Sequence, residues 1–144
     1  MKRDLRFEEQ YPHPPERVWE AITDSAALAE WLMPNDFQPK LGHRFQFRTK
    51  PQPGFDGIVN CEVIELDPPR RLAYTWKGGP LDTVVTITLT PHEGGTKLIL
   101  EHRGFRGARG MMISVMMSSG WGSKILKQRL PEVLERLASA SRTA

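Results

Sequence analysis

The chain has 144 residues, 39% hydrophobic and 26% charged, with a formal net charge of +3 and one cysteine; that length suits a single domain over 1–144, since two would each be marginal. Its cations are scattered among 17 acidic residues without a basic block, and no apolar run approaches the roughly 20 residues of a membrane span, so neither a nucleic-acid nor a membrane partner is expected. Cys61 has no internal partner and the opening MKRDLRFEEQ has no apolar signal core, which together read as a soluble, cytoplasmic protein.

In chain order, Leu5, Phe7, Glu9 and Tyr11 alternate with polar neighbours, the period of a strand with one buried face. Pro12, Pro14 and Pro15 stop it. Pro15 and Glu16 suit a first helical turn, and Val18, Trp19 and Ile22 lie three or four apart, which predicts a short amphipathic helix. Thr23, Asp24 and Ser25 offer caps for a second one, with Leu28, Trp31 and Leu32 as its apolar face. From Gly42 to Arg103 strand follows strand, over 44–49, 57–66, 71–77, 83–90 and 97–103, with turns at Asp67-Pro68-Pro69 and Gly94-Gly95. One apolar face per strand predicts an antiparallel sheet covered on one side.

The cover has to come from the closing segment. Leu126, Leu130, Val133, Leu134 and Leu137 form one helical stripe, with Lys127, Gln128, Glu132 and Glu135 opposite it. Pro131 falls on the polar side, where a kink leaves the stripe continuous. Trp121 falls off the stripe on an ideal wheel. Upstream, Met111, Met112, Ile113, Val115, Met116 and Met117 are apolar all round. A segment that apolar needs two neighbours, or else the helix breaks near Ser118 to Gly122. Between strand and helix, Gly104, Gly107 and Gly110 read as a hinge through which a ligand could enter.

Several motifs resemble a known family. Pro14-Pro15-Glu16-Arg17-Val18-Trp19-Glu20-Ala21-Ile22-Thr23-Asp24 with Leu28 and Trp31, then Asp67-Pro68-Pro69-Arg70-Arg71-Leu72 leading into Tyr74-Thr75-Trp76, are similar to the opening and middle motifs of the activator of heat-shock-protein-90 ATPase homologue family. Gly94-Gly95-Thr96-Lys97-Leu98, His102, Gly104-Phe105 and Gly120-Trp121 complete the pattern. The family lies in the START-like superfamily. The resemblance implies an α+β, Bet v 1-like helix-grip fold: a curved six-stranded antiparallel sheet, two short helices after the first strand, and a long C-terminal helix across the concave face. Gln128 and Pro131 depart from the regular leucine spacing of the family's closing helix.

It also implies an apolar or amphipathic small-molecule ligand, lipid-like or aromatic polyketide-like, held between helix and sheet. The residues expected to line that cavity are Phe45, Phe47, Val59, Val63, Tyr74, Trp76, Val85, Ile87 and Leu100 from strands, Trp31 from the second helix, and Met112, Met116 and Trp121 from the closing segment. Tyr74 and His102 are the polar groups placed to orient a ligand. Glu62, Glu65, Glu93 and Glu101 fall on outer faces or in turns, so no acid–base pair is read, and the four histidines lack metal-ligand spacing. No cofactor, metal or catalytic residue is expected. An enzyme of the polyketide cyclase or hydrolase type and a co-chaperone-like module with a chaperone partner are the alternatives.

Overall fold

The structure, a computed structural model, describes residues 2–143 of the chain, with side chains through residue 140. Strand β1 (Lys2–Tyr11) runs into the prolines, which have no place in a ladder. Helix α1 (Pro15–Thr23) then starts with Pro15 in its first turn, and α2 (Ser25–Trp31) follows after Asp24 alone. The Asp24 carboxylate accepts from the Ala27 N–H at 3.0 Å and caps α2. Trp31 pins the two helices together by donating its indole N–H to the Ala21 carbonyl at 2.8 Å.

Five strands follow: β2 (Arg44–Arg48), β3 (Ile58–Asp67), β4 (Arg71–Gly78), β5 (Leu81–His92) and β6 (Gly95–Arg106). They pair antiparallel in the order β1-β6-β5-β4-β3-β2, giving the expected curved, six-stranded α+β helix-grip arrangement. β5 and β6 join through Glu93 and Gly94, both at positive φ, so the two-residue turn lies one position earlier than the Gly94-Gly95 pair predicted. The registers align Leu5, His102, Val85, Tyr74 and Val63 in one row across five strands, all buried. Tyr74 and His102 therefore share a face with only β5 between them.

The closing segment departs from expectation twice. Gly104 lies inside β6, Gly110 lies inside helix α3 (Gly107–Ser119) and Gly107, at φ +71, turns the chain straight from one into the other, so no separate loop holds the three glycines read as a hinge. Nor does the helix break at Ser118 to Gly122. It continues as a π-helical stretch (Gly120–Arg129) into α4 (Leu130–Thr143), the backbone staying helical through both junctions. α4 docks on α1 and α2, where the Arg136 guanidinium pairs with the Glu30 carboxylate and His13 contacts Glu135 at 3.0 Å.

Candidate functional site

Of the residues expected to line a cavity, the structure brings twelve together. Phe45, Phe47, Val59, Val63, Tyr74, Trp76, Val85, Ile87, Leu100 and His102 are buried on one face of the sheet, with Trp31 and Trp121 buried from the helices. Met112 and Met116 are not among them; they are 69% and 67% exposed. The reason is the orientation of α3, which turns Gly110 and Ser114 toward the sheet. Each methionine stands two residues beyond one of these, about 200° round the helix.

The rings form a continuous file. Phe37 meets Phe45 at 5.0 Å, Phe45 meets Tyr74 at 5.4 Å, Phe47 meets Trp76 at 5.3 Å, and Trp76 meets Trp121 at 5.9 Å. These separations and the tilted or edge-on geometries are those that aromatic quadrupoles favour. His102 closes the file, 4.6 Å from Phe105.

The polar chemistry of His102 is wholly committed. The indole N–H of Trp121 can only donate, and it reaches His102 Nδ1 at 3.2 Å. Nδ1 is therefore the acceptor, and the proton of the neutral ring sits on Nε2, which donates to Thr83 Oγ1 at 2.7 Å. The Thr83 hydroxyl in turn donates a hydrogen bond to the Trp76 carbonyl at 2.9 Å. Burial holds the His102 pKa down to about 3, so the ring stays neutral. Thr83 was not foreseen, although its place in the alternation Thr83, Val85, Ile87, Leu89 signals an inward position.

Tyr74 is the opposite case. It is fully buried, and its hydroxyl has no hydrogen-bond partner among the described residues. Burial, with a smaller contribution from nearby Cys61, pushes its pKa up, so it remains a neutral O–H. Cys61 is buried too, and burial followed by the charge of Asp36 raises its thiol to about 12, which removes it as a nucleophile. Among the described residues no three His, Cys, Asp or Glu side chains gather as metal ligands.

A second polar contact ties β1 to the closing helix. In the π-helical stretch the Leu130 N–H bonds back to the Ile125 carbonyl, five residues earlier. The next donor in that register would be residue 131, which is proline and has no N–H. The Leu126 carbonyl thus loses its helical partner, and Tyr11 supplies one, its hydroxyl donating at 2.6 Å. Burial, reinforced by Glu9, raises the Tyr11 pKa and keeps that proton in place. Two open depressions of about 310 and 390 Å³ lie at the β5–β6 turn beside Tyr11 and at the β2–β3 edge, the second bordered by Phe45 and Cys61.

Comparison with known proteins fits this arrangement. Residues 12–135 match the family described as Activator of Hsp90 ATPase homolog 1-like protein. The structure is similar to that of protein MLL2253 from Mesorhizobium loti, with a TM-score of 0.79 and 36% identity over 96% of this chain and 98% of that one. Protein BH1534 from Bacillus halodurans aligns with a TM-score of 0.79 and 28% identity over 93% of this chain and 99% of its own. DynU16, described as a protein of the dynemicin biosynthetic locus, aligns with a TM-score of 0.75 and 26% identity over 92% of this chain and 47% of its own. Among curated proteins none matches the chain.

Proposed function

Because the chain belongs to the Activator of Hsp90 ATPase homolog 1-like family, we propose that it binds an apolar or amphipathic small molecule, lipid-like or aromatic polyketide-like, between the sheet and the C-terminal helix. The observation that carries this reading is the Tyr74 hydroxyl, buried and unpartnered in the middle of the aromatic file. An orphaned buried hydroxyl costs about 1–3 kcal/mol. A ligand placing one polar atom there, with its apolar body among the rings, removes that cost. Apolar pockets with few polar groups bind small molecules in this way. The similarity to DynU16, described as a protein of the dynemicin biosynthetic locus, supports a small-molecule ligand without choosing between the two classes.

Binding of this kind requires the roof to move. α3 is the part suited to it, since the residues it buries are Gly110 and Ser114. The groups facing inward do not favour the enzyme alternative: both nitrogens of His102 are engaged, and Tyr74 holds its proton. The co-chaperone-like alternative draws on the family description alone.

Native mass spectrometry of freshly purified protein, followed by amide-shift titration with naphthalene derivatives and long-chain alcohols, tests the proposal. Co-purifying mass, or shifts concentrated on β4, β5 and the π-helical stretch, supports it. Shifts confined to the outer sheet face, or none at saturating probe, overturn it.

A further inference from the structure

The run from Met111 to Met117 is apolar on every side, yet the fold supplies it with a single neighbour. α3 lies against β1 and β6, where Gly110 and Ser114 are buried and Met111, Ile113 and Met117 are half-buried. Its opposite side carries Met112, Val115 and Met116, exposed by 69%, 59% and 67%. An ordinary surface helix turns its large apolar residues to the core. Here the fully buried positions are small, Met111, Ile113 and Met117 pack only partly against the core, and Met112, Val115 and Met116 face solvent; clustered exposure of this kind marks an interaction surface.

The surrounding charge indicates what the second neighbour is. Between Glu101 and Glu132 the sequence contains no acidic residue. Arg106 and Arg109 at one end of α3 and Lys124 beyond the other are exposed, and none of the three has an ion pair among the described residues. A second copy of the chain on this face would set cations against cations, which disfavours it. Met112, Val115 and Met116 stand on the outer side of a helix, opposite its buried Gly110 and Ser114. An exposed helix face with an apolar stripe and cations at both ends suits a lipid interface.

We propose that α3 docks this protein on an anionic lipid bilayer. Met112, Val115 and Met116 enter the boundary between headgroups and acyl chains, and Arg106, Arg109 and Lys124 meet lipid phosphates. No helix among the described residues is long and apolar enough to cross a membrane, so the contact is peripheral. The expectation of no membrane partner came from span length, which does not bear on a helix lying in the interface. The proposal is independent of what the interior binds.

Sedimentation of the full chain with vesicles tests it, using phosphatidylcholine alone and phosphatidylcholine mixed with an equal amount of phosphatidylglycerol. Binding is expected to the mixed vesicles only, and to weaken as salt is added. The double variant Met112→Ser, Met116→Ser should abolish it. Arg109→Ala with Lys124→Ala should lower the partition coefficient roughly 25-fold, about fivefold for each cation. All four side chains are exposed, and an unchanged unfolding midpoint establishes that the variants are folded. Failure of the wild type to sediment with mixed vesicles, equal binding to both vesicle types, or unchanged binding by folded variants overturns the proposal. So does dimerisation, or capture of an acidic helical peptide, that depends on Met112 and Met116 without vesicle binding.

Discussion

Tyr11 and Tyr74 are both buried phenols with raised pKa values, and they sit in opposite situations. Tyr11 completes a helix that Pro131 leaves short of one donor, so Tyr11→Phe should cost about 1–3 kcal/mol by orphaning the Leu126 carbonyl; urea denaturation measures it. Tyr74→Phe should leave the free protein as stable or more stable, because it deletes a hydroxyl without a partner. The same change should weaken ligand binding. A loss of stability above about 1 kcal/mol in the ligand-free protein would show that the Tyr74 hydroxyl is already satisfied. For His102 the folded pKa lies below the ordinary value of 6.5. Above pH 6.5 both states are neutral. From there down to about pH 3 the unfolded chain takes up a proton that the folded ring refuses, so stability falls as pH falls, at about 1.4 kcal/mol per pH unit. His102→Asn should remove that slope, as read from denaturation midpoints between pH 7 and pH 4.

At the scale of elements, the closing helix shows how one change of period serves several contacts. Trp121 and Leu126 are five residues apart, which is off-stripe in an α-helix and one turn in a π-helix. Both are buried, and Trp121 reaches His102 because of that period. Gly122 sits directly over Phe7, whose ring would lie 3.3 Å from an added Cβ, so the stretch can approach β1 closely. Deleting Ser123 should convert the local i→i+5 bonding to i→i+4 and swing Trp121 out of the file. The expected loss is about 3–5 kcal/mol, comparable to Trp121→Ala, with the tryptophan emission shifted to the red. By contrast Met112→Ser should change stability by no more than about 0.5 kcal/mol, since the side chain is mostly in water.

In the whole molecule, the first strand is brought beside the last. β1 pairs with β6, placing Leu5 beside His102 and Tyr11 beside Thr96. The core rows then run across the sheet under the π-helical stretch and α4. α3 covers the β1–β6 edge with small residues. Local stability should follow that division. Amide hydrogen exchange should be slowest in β4, β5 and β6 and fastest, among the regular elements, in α3. Protection in α3 equal to that of β5 would argue against α3 as the moving roof.

The strand alternation from Phe45 to His102, the short helices around Pro15 and Asp24, and the leucine stripe of α4 were legible from residue order, because the periods of 2 and 3.6 are local consequences of backbone geometry. Those periods put ten strand residues, with Trp31, on the buried side. Trp121 was expected inside, although an ideal wheel put it off the stripe, since a π turn is not visible to a count at 3.6. The outward aim of Met112 and Met116, the pairing of Tyr11 with the Leu126 carbonyl and the engagement of both His102 nitrogens were decided by tertiary structure. Each depends on how one element is rotated or spaced against another distant in sequence, and residue order alone carries no information on that distance.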